Sequence, residues 1–243
     1  MKRVLAVDLG GTKTATAIVD SHALITRKQK TPAAHDAAAT VEQIAAAAQG
    51  YAIDGVGVIV PGIFNPASGQ AWAPNLWGRD WIPLKAMLED RLRLPISIGS
   101  DRAGAVLGEH WQGIAQGRQD VIFVAVGTGI GVGILAGGRV WEGAHGTAGS
   151  AGWMSLDLRW RPEYERTGCW ESLAAGPALA RRAGAASAEQ LVVNARQGSQ
   201  AAPEQLREAG RTLGVGIANL ISLFDPEIVV LGGGLMAAAG DLL

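Results

Sequence analysis

Among the 243 residues there is a single cysteine, Cys169. One thiol cannot close an intrachain disulfide or supply the cysteine cluster of a structural metal site. Charge is also sparse: 21 basic against 22 acidic residues make up 18% of the chain and leave a formal net charge of −1. That balance gives no general pull toward nucleic acid or an anionic membrane. Tyrosine (2) and phenylalanine (3) are few beside 8 tryptophans. Long hydrophobic runs are missing too. The apolar run at 4–7 stops at Asp8, too short for the core of a signal peptide. The uncharged stretch 121–138 is interrupted by Gly127, Gly129, Gly131, Gly133, Gly137 and Gly138. Glycine in a helix interior costs about 1 kcal/mol relative to alanine, so two strands joined by a glycine turn fit better than a membrane span. A soluble cytoplasmic protein is expected. The 48% hydrophobic content excludes a disordered chain, and the length suits one large or two modest domains.

What the sequence has in quantity is glycine, 34 residues, placed at particular points. Residues 2–9 and 14–20 read as strands around Gly10-Gly11, with a third strand in 22–31. Residues 40–49 read as an alanine-rich helix with Thr40 as N-cap. A β-branched strand at 55–60 ends at Pro61-Gly62, and 63–82 reads as a long tryptophan- and proline-containing loop. Leu84, Met87, Leu88 and Leu92 have helical spacing before a strand at 96–99. From near Asp101, Ala103, Val106, Leu107, Trp111 and Ile114 define one apolar helix face. The second half repeats the opening: strands 121–126 and 130–136 flank Gly127-Thr128-Gly129. After an irregular stretch at 139–170, helices are expected at 173–182, 188–196 and from Leu206 to Phe224, then a strand 228–231 running into Gly232-Gly233-Gly234. The pattern predicts a duplicated α/β unit.

A glycine turn between strands exposes successive backbone N–H groups, which form an anion-binding concavity. Thr12 adds a hydroxyl and Lys13 a charge. Asp8 would repel a phosphate but can hold Mg²⁺ through water. The bland alternative is an ordinary hairpin. Gly127-Thr128-Gly129 repeats the design, and Gly232-Gly233-Gly234 could meet a flat adenine ring. Three such turns at strand ends are far more specific than one.

On these residues the chain resembles the ROK family of repressors and kinases, within the actin-like ATPase/hexokinase superfamily. The matching stretches include DLGGTKTATAIVD (8–20), VIVPGIF (58–64), SDRAGAVLGEHWQG (100–113), VGTGIGVGILAGGRVWEG (126–143), GTAGSAGWMSL (146–156), GCWESLAAGPAL (168–179) and NLISLFDPEIVVLGGGL (219–235). The resemblance implies an α/β, actin-like (ribonuclease H-like) fold with a nucleotide/sugar cleft between two α/β domains, 1–110 and 111–243. It further implies ATP-dependent phosphorylation of a hexose or N-acetylhexosamine, with ATP and Mg²⁺ and a homodimeric assembly.

The family keeps a catalytic Asp before the helix that carries Leu-Gly-Glu; here it is Asp101, before Leu107-Gly108-Glu109. Asp101 could instead be an N-cap. The implied sugar-side residues are Gly62, Asn75, Ser100, Asp101, Ser150, Trp153 and Glu171. The implied phosphate and nucleotide residues are Asp8, Gly10, Gly11, Thr12, Lys13, Gly127, Thr128, Gly129, Gly232, Gly233 and Gly234.

Departures cluster on the sugar side. The Asn usual before the catalytic Asp is Ser100, and the family's Glu-x-Gly-His is Ser150-Ala151-Gly152-Trp153. Its zinc-binding cysteine segment aligns with 161–171, where Cys169 alone survives of the cysteines, so no zinc is expected. A sugar-binding protein without activity is therefore a second reading. A DNA-binding repressor is not expected, since the first phosphate turn starts at Asp8 and leaves no room for a preceding helix-turn-helix. The chain stops at Leu243, a few residues past the third turn, which reads as a short or truncated end.

Overall fold

The computed structural model describes residues 2–197, Ser199 and 202–238, so the end at Leu243 lies outside the described residues. The chain divides into two compact units. One runs through Gly104 and takes in Ala144–Gly146; the other comprises Ala105–Gly143 and the chain from Thr147.

The first unit opens with strands β1 (Arg3–Leu9), β2 (Lys13–Asp20) and β3 (Ile25–Pro32), then helix α1 (Ala37–Ala48). Strand β4 (Gly55–Val60), the short pair β5 (Ile63–Asn65) and β6 (Gln70–Trp72), and helices α2 (Pro74–Trp77) and α3 (Leu84–Leu92) follow. Strand β7 (Ile96–Ser100) leads directly into α4 (Asp101–Gln112). The sheet order is β3-β2-β1-β4-β7, antiparallel on the β2 side and parallel through β4 and β7. Alternation along β1 sends Leu5, Val7 and Leu9 into the core with Ile44, Val58, Leu84 and Leu88.

The second unit contains β8 (Val121–Val126), β9 (Ile130–Ala136), β10 (Arg139–Val140), and helices α5 (Tyr164–Thr167), α6 (Cys169–Ala174), α7 (Gly176–Ala183), α8 (Ala188–Arg196) and α9 (Ala202–Phe224), then β11 (Ile228–Gly232). Its sheet order, β10-β9-β8-β11, reproduces β3-β2-β1-β4: an antiparallel hairpin with a parallel strand on the far side of its first member. The repeated strand–glycine–strand pattern is thus a repeated half-sheet. Among the described residues no helix is long and apolar enough to cross a membrane.

Several expectations need correction. Helix α1 starts three residues earlier than read, because the Asp36 carboxylate accepts from the Ala39 N–H and caps it; Thr40 is buried inside the helix. Residues 63–82 are not one long loop: Ile63 pairs with Trp72 and Asn65 with Gln70, and Pro74 opens a helical turn. The helix expected at 173–182 breaks at Ala175, whose extended backbone (φ −76°, ψ 158°) separates α6 from α7. Along α4 only Ala103 and Val106 are buried; Leu107, Trp111 and Ile114 are exposed, so helical spacing there overstated the buried face.

Trp170, which falls in the stretch expected to be irregular, is fully buried in the second unit's core. Its indole ring lies where any Cβ at Gly216 would sit, which is why α9 carries a glycine at that turn. Large-to-small changes at such sites cost about 3–5 kcal/mol. Trp170→Ala should lower unfolding free energy by about that much in chemical denaturation.

Candidate functional site

In the first unit the parallel strands β1, β4 and β7 bring their C-terminal ends to one edge of the sheet. Asp8 pairs with Ile59, and Val60 with Ser100. The residues that follow these strand ends are the Gly10-Gly11 turn, Pro61-Gly62, and Asp101. Crevices outside the carboxyl ends of strands are where open α/β sheets bind ligands. Asn75 belongs to the same neighbourhood: a Cβ at Gly11 would lie 3.6 Å from the Asn75 Cβ.

At the β1–β2 turn the Gly10 N–H donates to the Lys13 carbonyl at 2.9 Å, and the Thr12 carbonyl accepts from the Ala33 N–H at 3.0 Å. A Cβ at Gly10 would stand 2.8 Å from that Lys13 oxygen, so the first glycine is needed for room. Thr12 and Lys13 are exposed. Gly62 is also a packing glycine, since a Cβ there would run into the Trp72 carbonyl.

The helix cap at this junction is Ser100. Buried at the end of β7, Ser100 accepts the Ala103 N–H on its Oγ at 3.2 Å and so caps α4. Asp101 follows it, its Oδ1 accepting from the Arg102 N–H at 2.8 Å, and its side chain reaches solvent. The protein around the carboxylate raises its pKa above the ordinary 3.8, against the opposing pull of Arg102. Asp8 is raised as well, first by partial burial and then by the like charge of Asp101; Lys30 acts the other way. Lys30 was not among the sequence candidates. Its placement follows from register alone, because Asp8 pairs with Ala15 and Ala15 with Lys30, putting Asp8 and Lys30 on one face.

The second unit gathers its own set. The Gly127 N–H donates to the Gly129 carbonyl (2.9 Å), and the Gly127 carbonyl accepts from the Gly176 N–H (2.8 Å) at the start of α7. The third turn adjoins the second: a Cβ at Gly127 would lie 3.7 Å from the Gly234 nitrogen. Gly233 has a left-handed φ of +93° and lies against the Val126 backbone, so both conformation and space demand glycine there. Gly232 faces the Phe123 ring, and Thr128 is exposed.

Glu171 is the hinge of this set. Its Oε2 accepts from the Ile130 N–H at 2.8 Å. A Cβ at Gly129 would stand 2.6 Å from Oε2, and one at Gly152 would stand 2.9 Å from it. Two glycines distant in sequence therefore make room for one carboxylate. Partial burial raises the Glu171 pKa, opposed by the Ile130 bond. Ser150 and Trp153 flank Gly152 on a short 3-10 turn (Ala151–Trp153), and Trp153 is 57% exposed. Its indole is open to a ligand face in a way that the buried Trp170 is not.

The arrangement is that of the actin-like ATPase fold. The chain belongs to the ROK family, which matches residues 4–242. It is 34% identical to the glucokinase of Streptomyces coelicolor, over 100% of this chain and 85% of that one. It is also 34% identical to the N-acetylmannosamine kinase of Escherichia coli, over 98% and 85%. The ROK glucokinase of Streptomyces griseus, solved with glucose and AMPPNP, superposes with a TM-score of 0.80 at 31% identity, covering 99% of this chain and 86% of that one. The xylose repressor of Bacillus subtilis is similar as well, at 27% identity over 74% of this chain and 48% of the repressor.

The raised pKa of Asp101 has a stability consequence. A carboxyl whose pKa is higher in the folded state supports the fold while protonated, below the ordinary carboxylate range. That support is lost as pH rises through the folded value. Asp101→Asn should therefore melt at a higher temperature than wild type at pH 7, with the gap closing toward pH 3. A thermal-melt series across that range checks it.

Proposed function

We propose that this protein is an ATP-dependent sugar kinase that phosphorylates a hydroxyl of a hexose or N-acetylhexosamine. The observation that carries the reading is the division of labour at the β7–α4 junction: Ser100 caps the helix, which leaves the Asp101 carboxylate for chemistry. In-line phosphoryl transfer needs a group to take the attacking hydroxyl's proton, and donors to stabilise charge on the transferred phosphoryl. Asp101 is the base. Its elevated pKa suits that role, since a carboxylate of ordinary acidity is a weak proton acceptor near neutrality.

The phosphate donors proposed in the first unit are the Gly11 and Thr12 N–H groups, the Thr12 hydroxyl and the Lys13 ammonium, with Gly10 shaping the turn. In the second unit Gly127, Thr128 and Gly129 serve the phosphates, and Gly232, Gly233 and Gly234 the adenosine. Asp8, through water, fits a magnesium ion: it is a carboxylate whose repulsion from Asp101 a hard divalent cation would relieve. Bound there, the ion would neutralise charge on the β- and γ-phosphate oxygens. On the sugar side, Asn75 and Glu171 offer donor and acceptor groups for hydroxyls. Ser150 is a smaller polar neighbour, and Trp153 presents an aromatic face to C–H groups. Gly62 lets the turn after β4 pack closely on the Trp72 carbonyl. A cytoplasmic homodimer that binds no nucleic acid completes the proposal.

A second reading is favoured by Ser150 and Trp153, which stand where the family has Glu and His: a protein that binds sugar without phosphorylating it. A coupled ADP-release assay over hexoses and N-acetylhexosamines separates the two. At least one sugar should drive turnover, and Asp101→Asn should reduce it by about 10²–10⁴-fold with sugar binding kept in calorimetry. ATP binding with no ADP release on any sugar would favour the second reading.

A further inference from the structure

Trp153 and Glu171 are the two ends of a single excursion of chain, and that excursion is closed on itself. At its base the Trp170 N–H donates to the Met154 carbonyl at 3.2 Å. One step further in, the Leu156 N–H donates to the Cys169 Sγ at 3.3 Å. Gly168, with φ +77°, presses against Gly152 and Trp153; a Cβ there would lie 2.7 Å from the Trp153 Cα. Inside the excursion, Asp157 gathers three donors. Its Oδ1 accepts from the Arg159 N–H (2.9 Å), and its Oδ2 from the Arg161 guanidinium (3.2 Å) and the Tyr164 hydroxyl (3.3 Å). Burial and the nearby Cys169 thiol push the Tyr164 pKa up to about 12. The phenol thus donates to the Asp157 carboxylate, and the N–H of the preceding residue, Leu156, donates to the Cys169 sulfur.

This is the segment in which the family resemblance implies zinc, and the residues do not fit it. A structural zinc takes four nitrogen or sulfur ligands at about 2.0–2.3 Å. Among the described residues no group of three or more His, Cys, Asp or Glu could hold a metal ion. Cys169 is a buried free cysteine engaged in hydrogen bonds.

We propose that Asp157, Arg161, Tyr164 and Cys169 form a metal-free clasp that fixes the spacing of Trp153 and Glu171, and thereby sets the affinity for sugar. The role in sugar affinity rests on the reading of those two residues as sugar-facing. The four are positioning residues: they hold the segment through which Trp153 and Glu171 are connected. A surface salt bridge alone would count for little. Here Asp157 takes three donors, Arg161 and Tyr164 among them, and the adjacent Leu156 N–H holds the buried Cys169 sulfur, so the group acts as a network.

The test uses the full chain with Asp157→Asn and Tyr164→Phe variants, and D-glucose and N-acetyl-D-mannosamine as probes. Three readouts are taken: zinc content by elemental analysis after dialysis against a chelator, amide hydrogen exchange across 154–170, and sugar affinity by calorimetry. The wild type should hold no stoichiometric zinc before or after chelation. Each variant should exchange faster across 154–170 and bind its sugar roughly tenfold more weakly, with ATP affinity unchanged and no rescue by added zinc. Stoichiometric zinc in the purified wild type, exchange as slow as wild type in both variants, or faster exchange with unchanged sugar affinity would each overturn the clasp. Because binding is the readout, a wild type that binds sugar but never phosphorylates it would sink the kinase reading while the clasp is still decided.

Discussion

The first unit is organised around two carboxylates that the fold holds partly out of water. Asp8 ends the exposed side of β1, and Asp101 opens α4. Parallel pairing of β1, β4 and β7 brings them to the same sheet edge, where each is harder to ionise than a free aspartate. Such a pair is a standing cost to stability, and folds keep such costs where chemistry needs them. Lys30, two strands from Asp8 along one row of the sheet, offsets part of the repulsion. The Ser100 cap belongs to the same arrangement: with the helix end satisfied by a buried hydroxyl, the Asp101 carboxylate is not needed as the cap.

In the second unit the comparable organiser is Glu171. One carboxylate oxygen binds the backbone of the second glycine turn and sits over the glycine of the Ser150–Trp153 segment. Any side chain at Gly129 or Gly152 would displace it. A candidate phosphate turn and a candidate sugar segment are thereby tied to one residue. A change at Glu171 would therefore be felt in both, which makes it a poor site for dissecting sugar contacts in isolation.

Much of this was legible in the sequence. The strand–glycine–strand pattern at Gly10-Gly11 and at Gly127-Thr128-Gly129 foretold two hairpins, and the two half-sheets share their strand order. Alternation and 3.6-residue spacing report burial, so the elements that bury a face were the easiest to read. Elsewhere the deciding interaction was local or distant rather than periodic. The start of α1 depends on one carboxylate at Asp36, and the break between α6 and α7 on a single extended alanine. In 63–82 the three-residue strands are too short to show a period. Trp170 looked like its loop neighbours because nothing in sequence marks Gly216 as its seat, 46 positions away in a helix of its own. Within the candidate site, Asp8, Asp101 and the glycine turns could be named. The Ser100 cap, the Lys30 row and the Glu171 seat could not, since each is a relation between residues.

The central claim is that an ionised Asp101 accepts the sugar's proton. The most direct test is the pH dependence of kcat/KM for sugar phosphorylation, which reports the ionisations of the free enzyme. An acidic limb is expected with an apparent pKa above the ordinary aspartate value of 3.8, because burial disfavours the charged form of Asp101. A rate that stays level down to that value, in protein shown to remain folded, would contradict the account.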